Sequence, residues 1–425
     1  MEVIRSNFAD ALERVGEAIH EAEFLAIDAE FSGLEQVADL RKSEYDVEQY
    51  YIDIAALVKR YNIIQFGLCA FTWSAVSQSY ISKPFNFYLF PTTTTGTARL
   101  DRPFSVQPSA IDFLAKHSFD FNKWLYCGIP WLTQAEEESL VQQYRNKVQK
   151  GFDDIVEDKK GKEYMETARI QIKQVYTSKD GFVNLVPHNA YLRRLVYQEI
   201  RNHHPDLIAQ GRPGFIQVRV AKKDESDQIK QRDMDRFERD LSEARGFRAV
   251  FDMMKASRKP IVGHNLLVDI MMMQSQFEGG LPADFEAFKR DIQMSFPCIL
   301  DTKFICETAA GLQIKSTSLD ALLDQTSQYD CPPVDMHPAF TRYFEGRLHE
   351  AGYDAYVTGR LLIRLMYHLG ASPTDIGVAQ HQRAIAKSGP VGQNKHAKVD
   401  MNTLKAYYNK LNLSKGHFTV VNLDA

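Results

Sequence analysis

The chain has 425 residues, of which 44% are hydrophobic and 25% charged, and its net charge at neutral pH is −4. These proportions are those of a soluble globular protein and exclude a disordered or collagenous chain. The length favours two or three domains, and no window approaches the roughly 20 uninterrupted apolar residues that a membrane span needs.

The N-terminal segment and the cysteines bear on the cellular compartment. The chain starts without the basic and then apolar regions of a secretory signal, and its five cysteines form no C-x-x-C pair. We therefore expect reduced thiols, a cytoplasmic or nuclear location and no membrane partner. The small net charge excludes no substrate, because it averages over all faces of the molecule.

The predicted elements begin with three strand-length apolar runs, FLAIDAEF at 24–31, IIQFGLCAF at 63–71 and FNFYLFP at 85–91. SAIDFLAKHSFDFNKWL at 109–125 is typical of helix. Apolar content then falls through 135–165, which indicates a solvated helix or linker and a domain boundary.

A compact stretch at 166–223 contains the alternating strand FIQVRV, and 224–245 is almost entirely charged. This middle piece interrupts the core. We predict a first core segment at 1–159, an inserted small α/β domain at 160–225 and a second core segment at 226–425.

The second half alternates between helical and strand patterns. The order is helix at FRAVFDMMKAS, strand at KPIVGHN, helix at LLVDIMMMQSQF, strand at CILDTKFI and a long helical pattern at 341–369. This order predicts parallel strands added to the opening ones, and hence an α/β fold. Residues 373–399 predict a mobile loop, and 401–425 predict an amphipathic helix followed by the strand FTVVNL.

Two acids, Asp28 and Glu30, lie two residues apart on the first predicted strand. Both carboxylates therefore project from one face of the sheet. An isolated D-x-E on a strand is more often solvated, but the apolar residues on both sides indicate a buried strand. Buried carboxylates need a compensating cation, which favours a metal ion.

Further candidates come from two helices. Asp269 in IVGHNLLVDI lies in the first turns of a helix that is apolar nearly all round, so it is either a surface residue at a helix start or a buried ligand. His349 and Asp354 are five residues apart on the predicted helix at 341–369, about 1.4 turns, and can converge on one site. Four carboxylates and one histidine are the set that two-metal phosphodiester hydrolysis requires, with Mg²⁺ or Mn²⁺ on the oxygens and the histidine as base.

The motifs FLAIDAEFSG, IVGHNLLVDI and HEAGYDAYVTG resemble the three motifs of the DEDDh exonucleases, and in wording they are most similar to the PARN-like family of poly(A)-specific ribonucleases. The likeness extends over roughly 1–135 and 245–425. It implies an RNase H-like mixed sheet flanked by helices, 3′-to-5′ hydrolysis of RNA and release of 5′-mononucleotides. It also implies two Mg²⁺ ions, replaceable by Mn²⁺, on Asp28, Glu30, Asp269 and Asp354, with His349 as general base.

The resemblance also concerns substrate and partners. It implies that RNA contacts Phe31, Ile111, Phe113 and, within LDTKF, Lys303, although Ile111 and Phe113 could equally be core residues. It implies single-stranded RNA 3′ ends as substrate, either poly(A) or small-RNA precursors, and a homodimer formed through 400–425. No aromatic RNP-like strands follow residue 370, so we expect no RRM.

The inserted piece is locally basic. Residues 188–223 hold seven basic side chains against two acidic ones, and Arg193 and Arg194 are the RNA-binding candidates among them. The stretch resembles loosely the single-strand-binding domain named for Arg-x-x-x-His, but here the signature reads Arg193-x-x-x-Tyr197. Phosphate binding and a plain solvated surface both remain open.

Two alternatives stand beside the exoribonuclease. An RNA-binding scaffold that keeps a nuclease fold would be expected to lose one of the acids, and all are present. A DNA 3′ exonuclease differs in its contacts to the 2′-hydroxyl, which sequence does not display.

Overall fold

The computed structural model describes residues 1–34, 47–91, 94–95, 98–99, 101–150, 154–222, 224–309, 312, 314–329, 331–370, 398, 401–413 and 420–424. The chain folds into two compact units. The first comprises Met1–Glu136 and Glu243–Ala425, and the second comprises Glu137–Ser242.

The elements are numbered in chain order. The strands are β1 Glu2–Val3, β2 Phe24–Phe31, β3 Ile63–Ser74, β4 Ser79–Tyr88, β5 Thr94–Thr95, β6 Ala98–Arg99, β7 Phe182–Leu185, β8 Leu207–Arg212, β9 Phe215–Val220, β10 Ile261–Gly263, β11 Ile299–Asp301, β12 Val334–Met336, β13 Lys410–Asn412 and β14 Val420–Asn422. The α-helices are α1 Phe8–Glu21, α2 Val47–Val58, α3 Pro108–Lys116, α4 Phe121–Cys127, α5 Gln134–Lys150, α6 Lys159–Lys173, α7 Ala190–His203, α8 Glu225–Arg245, α9 Arg248–Ser257, α10 Leu267–Met273, α11 Phe285–Ser295, α12 Thr302–Thr308, α13 Leu319–Gln325 and α14 Ala351–Gly370.

A mixed sheet forms the centre of the first unit, with the strand order β1-β4-β3-β2-β10-β11. The β2, β3 and β4 strands pair antiparallel, whereas β10 joins β2 and β11 joins β10 in parallel. The short β1 and β12 both pair with β4 in parallel. The expected mixed sheet flanked by helices is therefore confirmed.

Helices cover both faces of this sheet because their apolar stripes face it. The α1 helix buries Ala11, Val15, Ala18 and Ile19 at helical spacing, in one core cluster with α9 and the sheet. The α14 helix is buried along most of its length and packs against β2 and β3 in a second cluster. None of the described helices is both long and apolar enough to cross a membrane.

The second unit has its own core. An antiparallel sheet, β7-β9-β8, packs one face against α6 and α7 through residues such as Met165, Leu195 and Val218. The α5 and α8 helices contact each other through stacked rings of Tyr144 and Phe237, 3.9 Å between centroids. The unit is therefore wider than the predicted insert at 160–225, since most of α5 and α8 belongs to it.

Several predicted elements need correction. The strand predicted at 85–91 runs from Ser79 to Tyr88, because it pairs with β3 along this whole length. The strand predicted through CILDTKFI ends at Asp301, whose carboxylate accepts backbone N–H bonds from Lys303 and Phe304 and so begins α12. The helix predicted near 401 is a 3₁₀ segment, Met401–Tyr407. The loop predicted at 373–399 falls almost wholly outside the described residues.

Candidate metal centre

Three carboxylates meet where β2 passes the start of α14. Asp28 and Glu30 project from one face of β2, as predicted, and Asp354 lies in the first turn of α14. One carboxylate oxygen from each lies within 4.8 Å of the others. Such a group of oxygens is suited to holding a hard cation.

Burial and mutual repulsion raise the pKa of each of these acids. Burial, together with the charge of Asp269, raises the pKa of Asp28 well above its usual value. Burial, then Asp28 and Asp354, raise the pKa of Glu30 in the same way. The pKa of Asp354 is raised to about 8, by burial first and then by Asp28. Without a cation, the site must therefore hold protons at neutral pH.

The two oxygens of Asp354 have different surroundings. Its Oδ2 accepts the backbone N–H of His349 at 3.0 Å, whereas its Oδ1 is buried without a hydrogen-bond partner. A buried carboxylate oxygen without a partner is costly unless a cation contacts it. With the oxygen-only donor set, this atom makes the site fit Mg²⁺ or Mn²⁺.

The raised pKa values predict how the metal-free protein responds to pH. Asp354 holds its proton in the folded state up to about pH 8, whereas an unfolded aspartate loses it at about pH 4. Its contribution to the free energy of unfolding therefore falls as pH rises through this window. We expect Mg²⁺ to raise the melting temperature more at pH 8.5 than at pH 6, because its ligands must be deprotonated.

Asp354→Asn provides the comparison, since other groups titrate in the same range. Melts of both proteins with EDTA and with Mg²⁺ should show a weaker pH slope and a smaller Mg²⁺ increment in the variant. If the melting temperature of both proteins depended on pH with the same slope, Asp354 would not be one of the acids that hold a proton in the metal-free site.

Asp269 lies in the first turn of α10, where it was predicted. Its carboxylate accepts a hydrogen bond from the backbone N–H of Ala29, between the two β2 acids, and its pKa is raised to about 8, chiefly by burial. The start of α10 is held by Asp301, whose carboxylate accepts the backbone N–H groups of Asn265 and Leu266 at 2.9 and 3.2 Å. Asp301 thus places the helix that carries Asp269.

The start of α14 is held against the sheet by buried amide side chains. Gln65, opposite Glu30 on β3, accepts the N–H of Ala351 at 2.9 Å. Asn86 on β4 accepts the N–H of Gly352 at 3.0 Å. These bonds satisfy N–H groups that every helix start leaves unpaired, and they fix Asp354 over β2.

Gly67 allows the close approach of α14 to β3. A Cβ atom at this position would lie 1.9 Å from the carbonyl oxygen of Ala351, so the backbone would have to move. We expect Gly67→Ala to lower the free energy of unfolding by about 1–3 kcal/mol or more. It should also weaken Mg²⁺ binding, because the helix that carries Asp354 must shift. Thermal melts and Mg²⁺ titration would measure both effects.

Gly16→Ala in α1 is the matched control for that substitution. Its Cβ would meet only the Met253 side chain at 3.6 Å, which is an ordinary contact. The substitution should therefore leave the free energy of unfolding unchanged or raise it by up to about 1 kcal/mol. If Gly67→Ala were as stable as Gly16→Ala, the close packing of α14 on β3 would be wrong.

His349 is not on a helix, which corrects the prediction for 341–369. The α14 helix begins at Ala351, and His349 precedes it with a φ of 64°. The cause is a set of local hydrogen bonds. Asp354 accepts the backbone N–H of His349. The carboxylate of the next residue, Glu350, accepts hydrogen bonds from Arg342 at 2.6 and 2.8 Å and from the Tyr343 hydroxyl. These contacts fold the segment before the helix back on itself.

The imidazole of His349 is half-buried beside α3. Its centroid lies 5.0 Å from the Phe113 ring and 3.9 Å from the His117 ring. Burial, and then the charge of His117, lower the pKa of His349 below its usual value. A neutral imidazole can accept a proton from water, and the backbone N–H of this residue is bound by the carboxylate of Asp354.

The other predicted residues occupy different places. Phe31 ends β2 and packs against the main core cluster, while Ile111 is partly buried on α3. Phe113 is 43% exposed, in contrast to its buried neighbour Leu114, so simple core packing does not account for it. Lys303 lies in the first turn of α12. Arg193 and Arg194 belong to α7 of the second unit, whereas the acids belong to the first.

Sequence reasoning missed Asp301, Gln65 and Asn86, which position the acids. Asp301 could have been found, since Asp before Thr-Lys is a helix-start signal. The two amides gave no local signal, because their partners lie more than 260 residues away in the chain.

Comparison with known proteins bears directly on these residues. A model of the CAF1 family of ribonucleases matches residues 3–362. The chain belongs to this family. This CAF1 family member is 32% identical over 401 residues to poly(A)-specific ribonuclease PARN of Xenopus laevis, an alignment that covers 87% of the chain and 63% of the relative. It therefore spans less than two thirds of that relative's length.

Two further similarities concern this CAF1 family chain as a whole. The pre-piRNA 3′-exonuclease trimmer of Bombyx mori is 26% identical over 439 residues, covering 100% of the chain and 79% of the relative. The structure of S. pombe Pop2p in its Mg²⁺- and Mn²⁺-bound form has 14% identity and a TM-score of 0.42, covering 88% of the chain and 93% of Pop2p.

Proposed function

We propose that the chain is a divalent-metal-dependent 3′-to-5′ exoribonuclease with a DEDDh active site in an RNase H-like core. The observation that carries the proposal is the meeting of Asp28, Glu30 and Asp354, with an unpartnered buried oxygen on Asp354. Family membership supports the reaction class. The five acid and base residues are all present in one unit.

The roles of the side chains follow from their surroundings. Asp28, Glu30, Asp269 and Asp354 would hold two Mg²⁺ or Mn²⁺ ions, which supply Lewis-acid stabilisation of charge on the phosphodiester. His349, kept neutral by burial, would accept the proton of the attacking water on a ring nitrogen. Asp354 also accepts the backbone N–H of His349 and so fixes the backbone of the proposed base next to one of the acids.

Residues around the acids would bind the RNA. The exposed face of Phe113 is available for stacking on a base, and such stacking contributes about 1–3 kcal/mol. Phe31 and Ile111 would line the same path, and Lys303 would contact a phosphate. These assignments rest on the family resemblance and on the position of Phe113 next to His349.

Digestion of matched oligonucleotides tests the proposal. The purified chain is incubated with Mg²⁺ and 5′-labelled RNA, its DNA counterpart and RNA with a blocked 3′ end. We expect a ladder of shortened products from the free RNA only, and 5′-mononucleotides as the small product. A ladder from DNA at the same rate would favour a DNA exonuclease, and binding without cleavage would favour a scaffold.

The substrate class is either poly(A) or the 3′ ends of small-RNA precursors. Relatives of both kinds are similar to the chain, PARN of Xenopus laevis at 32% identity and the pre-piRNA trimmer of Bombyx mori at 26%. A poly(A) oligonucleotide and a mixed-sequence RNA of equal length, digested in competition, separate the two. Faster loss of poly(A) indicates a deadenylase, and equal loss indicates a trimming enzyme.

We also propose that the second unit contributes to RNA affinity. Arg193 and Tyr197 on α7 both reach toward Gly211 of β8: a Cβ atom there would lie 3.2 and 2.9 Å from their polar atoms. Arg193 and Tyr197, the first and last residues of the altered Arg-x-x-x-His signature, therefore lie close to the exposed Arg212. Guanidinium groups on such a surface suit sequence-independent contact with phosphates.

Joint replacement of Arg193 and Arg194 by alanine should weaken RNA binding and reduce the salt dependence. Each lost phosphate contact removes about 0.7 from the log-log slope for single strands, so the expected reduction is about 1.4. Binding curves at several salt concentrations measure it. Joint replacement of the exposed Lys162 and Lys173 on α6 is the control, and an equal reduction there would indicate a general charge effect.

Two further expectations derive from the resemblance. One is a cytoplasmic or nuclear location, which imaging of the tagged protein would test.

We also propose a homodimer that forms through residues 400–425, which light scattering would detect. Within 400–425, β13 pairs with β14, and Asp301 accepts the N–H of Asn412 at 2.9 Å. This segment is therefore joined to the strand that precedes α12.

A further inference from the structure

Three aromatic rings cluster where the end of α3 meets the segment before α14. His117 lies 4.4 Å from Phe113 and 3.9 Å from His349, and Phe113 lies 5.0 Å from His349, centroid to centroid. Each ring thus contacts the other two. Phe113 and His117 both come from the end of α3, whereas His349 comes from the segment before α14.

The His117 ring is held in one place by its own helix. Its Nδ1 lies 2.9 Å from the carbonyl oxygen of Phe113, and because a carbonyl only accepts, Nδ1 carries the proton. The helix itself is anchored in a small core by Leu114. His117 therefore presents a fixed face to its neighbour although its side chain is exposed.

The backbone of His349 and its ring are restrained from different directions. Asp354 and the pair Arg342–Glu350 fix the backbone in a left-handed conformation. These contacts leave rotation of the side chain free. The ring contacts with Phe113 and His117 restrict that rotation, because both neighbours lie against the imidazole.

We propose that His117 is a positioning residue, whose ring packs on the imidazole of His349 and holds it in the orientation that hydrolysis uses. The inference deepens the proposed function and rests on it. His117 acts through its ring, since the two imidazoles meet ring to ring, and its Nδ1 is occupied by the Phe113 carbonyl. The base would thus be built from two segments, one for its backbone and one for its ring.

Single-turnover kinetics with His117→Ala, His117→Phe and the neighbouring control Lys116→Ala test the role. A misplaced base lowers the rate of the chemical step, so we expect His117→Ala to be slower by about ten-fold with little change in KM. His117→Phe should recover most of the rate, and Lys116→Ala should match the wild type. A wild-type rate in His117→Ala, or a His117→Phe as slow as His117→Ala, would overturn the proposal.

A double-mutant cycle separates this role from direct RNA contact. In a His349→Ala background, His117→Ala should have no further effect, because its partner is gone. Additive losses, or a rise in KM alone, would overturn positioning and indicate that His117 stacks on the RNA.

A readout without RNA distinguishes failure of this inference from failure of the proposed function. Nuclear relaxation of ¹³C-labelled histidine rings in the metal-free protein reports the order of the His349 ring. We expect the order to fall in His117→Ala and to persist in His117→Phe, whether or not the chain cleaves RNA. Unchanged order in His117→Ala would overturn the proposal.

Discussion

Replacing Asp28 by alanine is expected to slow hydrolysis by more than about 10²-fold, whereas the melting temperature of the metal-free protein stays the same or rises. Removal of one carboxylate takes away a metal ligand and also removes repulsion from Glu30 and Asp269. Single-turnover rates and melts in EDTA measure the two effects. The Mg²⁺-induced rise in melting temperature should shrink at the same time.

Two further variants refine that experiment. Asp112→Ala removes an exposed acid from α3 and serves as control, with wild-type rate and melting temperature expected. Asp354→Ala should be as inactive as Asp28→Ala but less stable, because it also leaves the His349 N–H without its acceptor. Near-normal hydrolysis by Asp28→Ala would exclude this carboxylate from the metal centre.

Replacing His349 by alanine is expected to lower the single-turnover rate by about 10²-fold or more, the usual scale for loss of a general base. The wild type should lose activity only below its ordinary histidine range, because burial lowers the pKa of His349 and only the neutral ring accepts a proton. That acidic limb of the pH profile should change in the variant. The Mg²⁺ concentration for half-maximal rate should not.

His20→Ala, an exposed substitution on α1, is the control for that profile. A His349→Ala enzyme with the wild-type rate and acidic limb would make the histidine a structural residue. The metal centre would then need another base.

The features predicted from sequence were those that depend on local pattern. FLAIDAEF is eight residues of strand with apolar neighbours, and a period of two places Asp28 and Glu30 on one face. Asp269 follows a short strand by a few residues, so its place at a helix start was also readable. In each case the residues that determine the geometry are close together in the chain.

The prediction for His349 was wrong because hydrogen bonds from side chains, and not apolar spacing, determine where α14 starts. The apolar spacing of 341–369 indicates helix, but the carboxylates of Asp354 and Glu350 favour a turn before the helix starts. Gln65 and Asn86, which fix that start, lie on strands far away in sequence. Hydrogen bonds from side chain to backbone decided the helix boundary, and hydrophobic periodicity does not record them.

The boundaries of the second unit also depend on a contact that local sequence pattern does not reveal. The stretch at 135–165 predicts a solvated helix or linker and 224–245 is almost entirely charged, but neither pattern predicts the contact of α5 with α8 through Tyr144 and Phe237. One aromatic residue on each of two polar helices gives little signal. Their contact is visible only when both helices are placed.

The location of bound Mn²⁺ tests the central claim most directly. Crystals grown with Mn²⁺ and measured near its absorption edge give an anomalous difference map that shows the ion independently of any assay. We expect a peak bounded by the carboxylates of Asp28, Glu30 and Asp354, and its loss in Asp28→Ala. A map without a peak at this site, at a Mn²⁺ concentration that supports hydrolysis in solution, would contradict the account.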